Sequence, residues 1–340
     1  MFMMQCTIIV NAGSADARMQ EMGLLQQARD ILGANSAAWP PKRLSLALQG
    51  GGSFGAFTWG VLDRLLDEGE VEFDAISGAS AGAVNAVVLA AGMIDGRAEA
   101  KAGLARFWKR MSKSASFLPM TSLASATMGA GFARSLSPHQ FNPFDLNPLR
   151  EALAEEIDFE RLRAQSPVKL LIAATRVRDG ELRIFRETEL SIEMVLASAC
   201  LPLIHHTVEI ESEPYWDGGY VANPPIIPLV QASSTANVLV VQVTLAKSER
   251  LPTTPREIVK RIEQINFNAT LNAEIEALNV GMSLGATPKL RRLRIDRISA
   301  QDEFEGLADE NAANLGWSFL ESLSESGRRA AETWVAQPAA

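Results

Sequence analysis

The chain has 340 residues, 47% of them hydrophobic, and 40 acidic against 32 basic side chains give it a formal charge of −8. That length holds one large or two modest domains, and the acidic balance excludes a non-specific nucleic-acid binder, which needs a cationic footprint to displace counterions from phosphate. Cys6 and Cys200 cannot build a disulfide framework, and His139, His205 and His206 show no metal-ligand spacing, so no structural metal is expected, and the leading reading below calls for no cofactor.

Residues 1–42 read as an appendage: a β-prone piece at 7–10, a weakly amphipathic helix over 15–32, then the breaker Pro40-Pro41. The apolar start MFMMQCTIIV has no basic residue before it, and no apolar run reaches the roughly 20 residues of a membrane span, so a cytoplasmic location is expected. From Leu44 the pattern predicts strand 44–49, helix 54–68, strand 71–77 and helices over 80–93 and 97–112. Helical pieces follow at 147–163, then strands at 168–176 and 181–186 and a short helix at 191–199. A buried strand at 237–244, a long helix near 254–280, a strand at 290–297 and a last helix near 310–335 complete the chain. Alternating strands and helices imply an α/β domain with a mostly parallel central sheet covered on both faces. Its expected span is 43–300, with an insertion at about 114–146 and a helical segment over 301–340.

Two glycine motifs lie on consecutive strands. LSLALQGGGSFG matches G-x-G-x-x-G at Gly50, Gly52 and Gly55 between a strand and a helix, the setting of a dinucleotide fingerprint. That fingerprint also requires an acid at the C-terminal end of the next strand, whereas Glu70, Glu72 and Asp74 sit at its start. The C-terminal end reads SGASAG instead, a G-x-S-x-G from Gly78 to Gly82 that places Ser80 on a sharp strand-to-helix turn. Neighbouring parallel strands end at one edge, so Gly50-Gly51-Gly52 can lie beside Ser80 with backbone N–H groups free to hold an oxyanion.

A serine nucleophile needs a base. No histidine follows residue 206, which speaks against the order Ser, acid, His of an α/β-hydrolase with Asp217 as the acid, and leaves a histidine-using variant open only through His139, His205 or His206. Asp217 in YWDGGY is the better candidate: an Asp-Gly hairpin turn is the alternative, but two successive glycines flanked by aromatics suggest backbone packed closely around the carboxylate, and spacing does not choose between them.

QGGGSFG, GASAG and DGG, in that order and with the expected elements between them, resemble the patatin-like phospholipase family, and ASACLPLIHHTVEIESEPYWDGGYVANPPIIPL resembles its bacterial branch. The resemblance covers about Leu44 to Pro228. It implies a three-layer α/β/α sandwich and metal-free hydrolysis of acyl esters of phospholipids and other lipids. By position, Ser80 matches the nucleophile, Asp217 the base of a Ser-Asp dyad, and Gly50, Gly51, Gly52 and Ser53 the oxyanion loop. Gly55, Gly78, Gly82, Gly218 and Gly219 match the supporting glycines. Many relatives carry Arg or Lys two residues after the triple glycine, where this chain has Phe54.

Lipid contact has its own candidates. KAGLARFWKRMSK at 101–113 is basic and amphipathic, and reads in two ways: its apolar side packs on the sheet beneath a solvated cationic face, or Arg106, Trp108, Lys109 and Arg110 meet an anionic lipid surface, peripherally at the inner membrane face. Residues 114–146 are nearly uncharged, with Arg134 the single charged residue from Phe117 to Phe144, and are expected to form a hydrophobic flap over the site. The competing functions are a nucleotide-binding oxidoreductase using Gly50–Gly55, and a catalytically weak membrane- or partner-binding protein on the same scaffold.

Overall fold

Arg43–Leu48 forms β1, and every residue after Arg43 is buried, because this strand is covered on both faces and bordered on both edges. It pairs in parallel with β2 (Glu72–Gly78) and with β7 (Asn237–Gln242). The computed structural model describes residues 39–115, 137–248, 250–304 and 310–337, and the account below concerns the unit Lys42–Ala336. The expected strand at 7–10, the expected helix at 15–32 and residues 116–136 of the expected flap lie outside the described residues.

The sheet has eight strands in the order β5-β6-β3-β2-β1-β7-β8, with β4 (Leu182–Arg186) also on β3 (Lys169–Arg176). β5 is Val208–Ile210, β6 is Glu213–Asp217 and β8 is Arg294–Ser299. One detail of this sheet places the site. β4 pairs with Leu171–Thr175 of β3, β2 with Lys169–Ile172 and β6 with Ala174–Arg176. Since β4 overlaps both of the others along β3, it takes one edge, and β2 and β6 share the other. β2 runs parallel to β3 and β6 antiparallel, so their C-terminal ends face each other, Gly78 opposite Ile172 and Asp217 opposite Ala174.

The helices are α1 (Gly55–Leu65), α2 (Ala81–Met93), α3 (Arg97–Ala115) and α4 (Pro138–Phe141). Next come α5 (Pro148–Glu156), α6 (Phe159–Gln165), α7 (Ile192–Ser198) and α8 (Ile226–Ala232). The last are α9 (Pro255–Ser283), α10 (Ala300–Glu303) and α11 (Trp317–Val335). On one face Ala47, Ala75, Leu171, Val238 and Val240 pack against Ile226 and Leu229 of α8 and Leu271 and Leu278 of α9. The alternate side chains Leu46, Leu48, Ile76, Leu170 and Ile172 are equally buried and point to the other face, where α2 lies against β1, β2 and β3. Two covered faces make the expected three-layer α/β/α sandwich.

Most elements stand where the pattern predicts them. The exceptions have local causes. The helical stretch 147–163 divides at Ile157, because the Asp158 carboxylate accepts the Arg161 N–H at 3.0 Å and starts a new helix. His205 and His206 lie in the irregular stretch before β5. β5, β6 and α8 were not anticipated, since each is short and interrupted by or adjacent to Pro, Gly or charge.

Candidate active site

Ser80 follows the end of β2 at φ 53°, ψ −127°, a region that costs a non-glycine residue about 1–3 kcal/mol and persists only where the surroundings impose it. The surroundings are glycine contacts. A Cβ on Gly78 would stand 2.6 Å from the Ala83 nitrogen, and one on Gly82 would overlap the Leu48 carbonyl of β1. The Ser80 N–H donates to the Ser198 carbonyl at 3.0 Å and to its hydroxyl at 3.1 Å, which pins the turn to the end of α7. α2 begins at the next residue, so its positive end lies behind the Ser80 hydroxyl.

The first glycine loop rests directly on this turn: a Cβ on Gly50 would come within 2.7 Å of the Ser80 Cβ. Gly52 has φ +60°, and a side chain there would strike the Ala312 carbonyl. Not every amide of the loop is free. Gly50 N–H donates to Asn223 Oδ1 at 2.7 Å and Ser53 N–H to the Ala312 carbonyl at 2.7 Å, which corrects the expectation that Gly50 and Ser53 supply oxyanion donors. Among the described residues, Gly51, Gly52 and Ala81, the first residue of α2, have backbone N–H groups with no acceptor. Ala81 was not foreseen; a helix start leaves its first amides unpaired, and that signal was present in the motif.

Asp217 ends β6 and is fully buried. Its N–H donates to the Cys200 carbonyl at 2.8 Å and its carbonyl accepts from the Thr175 hydroxyl at 2.7 Å, so the residue is held from both sides. Oδ1 accepts the Gly219 N–H at 2.7 Å, while the buried Oδ2 has no partner of full hydrogen-bond geometry, and Ser80 is the side chain that faces the carboxylate. Burial pushes its pKa up to about 7, against the opposing pull of Gly219 and Ser80. Gly218 has no room for a side chain because Ala173 of β3 is in the way. The Asp-Gly pair is therefore the end of a paired strand and not a hairpin turn.

The histidines gather elsewhere. The rings of His139 and His206 stand 4.0 Å apart, His206 Nδ1 lies 4.0 Å from Asp145, and burial holds His205 below its usual range. None of the three is hydrogen-bonded to Ser80 or Asp217. The Cys200 thiol is pushed up to about 12 by burial and stays protonated.

The apolar side of the basic helix is packed, which takes Trp108 out of any lipid-facing surface, and its arginines are paired. Arg106 reaches Glu99 at 2.5 Å and Glu156 at 2.6 Å, and Arg110 pairs with Glu155. Trp108 is buried and donates to Asn85 Oδ1 at 3.2 Å, and Lys109 lies 3.7 Å over the Trp317 ring. The stretch 101–113 lacks acids because α5 supplies them. Since the Glu156 side chain is only 6% exposed, Arg106→Gln should cost about 1–3 kcal/mol through an uncompensated buried carboxylate. Thermal melts should register that loss, with vesicle sedimentation unchanged; weaker sedimentation at wild-type stability would restore the lipid-facing assignment.

The oxidoreductase alternative lacks its acid. Glu72 opens β2 and pairs with Arg43 at 3.2 Å, at the sheet edge opposite Ser80. Phe54, where a cation is common, is buried against the Phe319 ring.

A sequence model of the patatin-like phospholipase family matches residues 46–230, more than half the chain and the span that carries Ser80 and Asp217. The chain belongs to the patatin-like phospholipase family. That membership makes it a lipid acyl hydrolase at the level of the family. Similar solved structures include VipD from Legionella pneumophila, with 16% identity, TM-score 0.45, and coverage of 87% of this chain and 67% of that one. Another is the heterodimeric ExoU–SpcU complex of the type III secretion system of Pseudomonas aeruginosa, with 20% identity, TM-score 0.35 and 70% of this chain covered. This patatin-like chain spans 52% of that second one. No curated protein matches it.

Proposed function

We propose that this patatin-like protein is a serine hydrolase of lipid carboxylic esters, acting as a phospholipase A, lysophospholipase or related esterase through a Ser80-Asp217 dyad. The observation that carries the reading is the strained Ser80 facing a fully buried Asp217 whose pKa stands at about 7. An ordinary carboxylate is too weak a base at neutral pH; one raised to about 7 is matched to removing a proton there.

Asp217 takes the Ser80 proton as Oγ adds to the ester carbonyl. The carbonyl oxygen, now negative, is held by the free N–H groups beside Ser80, with Gly51 and Gly52 from one loop and Ala81 from the helix start. Collapse breaks the ester bond, and Asp217 returns the proton to the leaving alcohol. Water, activated by the same carboxylate, then attacks the acyl-serine and releases the fatty acid and Ser80.

The rim supports a lipid substrate. Leu203 and Ile204, both exposed, belong to the loop that starts at Cys200, and half-exposed Tyr220 follows Gly219 directly. Tyr220 packs on Phe267 of α9, and the preceding turns of that helix expose Ile258, Ile262 and Ile265. Among the described residues no helix is long and apolar enough to cross a membrane, so contact with lipid is peripheral in this reading.

The test is a hydrolysis panel from short p-nitrophenyl esters to phospholipid vesicles, with Ser80→Ala as the blank. Ester cleavage above that blank, with higher activity on aggregated lipid, is expected. No substrate turned over above the blank would remove the proposal.

A further inference from the structure

Three consecutive glycines create a difficulty for an oxyanion hole. Gly50, Gly51 and Gly52 carry no side chains to restrain the backbone, and a peptide between two glycines can turn over at little steric cost. The plane of the peptide is rigid, so the Gly50 carbonyl and the Gly51 N–H point in opposite directions. Whatever fixes the carbonyl aims the amide.

The Gly50 carbonyl is fixed twice. Thr244 Oγ1 donates to it at 3.0 Å and Asn223 Nδ2 at 3.4 Å. Asn223 also takes the Gly50 N–H on Oδ1 at 2.7 Å, so a single amide side chain spans the residue from its N–H to its carbonyl. Both groups are themselves immobile: Asn223 is fully buried, and Thr244 is 7% exposed with its N–H donated to Gln49 Oε1 at 2.8 Å. Gln49 in turn is tied to Asn268 of α9 at 3.0 Å. Asn223 lies six residues after Asp217, beyond the short 3₁₀ turn Gly218–Tyr220. It therefore ties the segment that carries the carboxylate to the loop that rests on Ser80.

We infer that Asn223, assisted by Thr244, is a positioning residue of the oxyanion hole that prevents the Gly50–Gly51 peptide from turning over and so aims the Gly51 N–H at the developing oxyanion. The inference rests on the Ser80-Asp217 reading above. Neither side chain touches the reacting atoms. Their effect is on the transition state, which needs the donor, and not on the ester in its ground state.

The experiment compares wild type, Ser80→Ala, Asn223→Ala and Thr244→Val on a short p-nitrophenyl ester and on a fluorophosphonate probe. Loss of a whole oxyanion donor costs about 10²–10³ in kcat, and loss of its aim should cost a large part of that. Asn223→Ala is expected to lower kcat roughly 10–100-fold and Thr244→Val roughly 3–10-fold, with KM within about threefold. The probe should react more slowly by the same factors, because its phosphoryl oxygen takes the oxyanion's place. The pH at which activity falls, set by Asp217, should not move; a merely structural disturbance would shift that pH and KM as well. Should Asn223→Ala fail to fold, Thr244→Val decides alone, since it keeps the shape of the side chain. A fully active Ser80→Ala would overturn the dyad itself. An inactive Ser80→Ala beside folded Asn223→Ala and Thr244→Val proteins of wild-type kcat would overturn the positioning role alone.

Discussion

Ser80→Ala should fold and lose esterase activity by roughly 10⁴–10⁶-fold, the scale set by removing a nucleophile from a cooperating catalytic unit. Folding should survive because the turn is held by backbone contacts that alanine keeps: the Ser80 N–H to Ser198, and the glycines at 78 and 82 against Ala83 and Leu48. Alanine tolerates the positive φ of 53° no better than serine does. Ser80→Gly relieves that strain and should melt above Ser80→Ala, by about 1 kcal/mol, while being equally inactive. The strain is thus an attribute of the backbone and the activity an attribute of the hydroxyl, and the two variants separate them. Fluorophosphonate labelling, ester turnover and thermal melts are the measurements. Labelling of Ser80→Ala at the wild-type rate would place the nucleophile elsewhere.

The part of this site that was legible in the sequence is the part built from consecutive residues. Gly50 to Gly55 and Gly78 to Gly82 each follow a buried strand and open a helix, and parallel pairing of β1 with β2 brings them together. Asp217 was legible as a candidate only, because its place depends on β2 and β6, more than 130 positions apart in the chain, both pairing with one edge of β3. Asn223 was invisible for the same reason: its partner is Gly50, 173 positions away. The basic helix misled through locality. Its counter-charges, Glu155 and Glu156, come from α5, and a window over 101–113 cannot contain them. The free amides were also overcounted, since a glycine-rich loop shows that N–H groups can be exposed but not which ones other segments have taken.

Asp217→Asn should reverse the usual relation between a mutation and stability while lowering kcat by roughly 10²–10⁴, the contribution of a positioned general base. Asparagine keeps the size of the side chain and the oxygen that accepts from Gly219, but it cannot take a proton from Ser80. Wild-type activity requires the ionised carboxylate, so it should be full above pH 7 and fall as pH drops through about 7; the residual activity of the variant should lack that step. The same pKa fixes the stability change. In the unfolded chain the carboxyl titrates at its ordinary 3.8, and in the native state burial moves it to about 7. Below 3.8 both states hold the proton and the variant gains nothing. Between 3.8 and 7 the native state holds a proton that the unfolded state has released, so wild-type stability declines as pH rises through that window. Above 7 the native protein carries a desolvated charge that costs up to about 4 kcal/mol relative to the unfolded chain, and the neutral asparagine removes it. Denaturant unfolding at pH 5 and pH 8 should therefore show Asp217→Asn gaining on wild type as pH increases. A variant less stable than wild type by a constant amount at both pH values, or one that keeps the acid limb of activity, would mean that Asp217 is not the group titrating near neutrality.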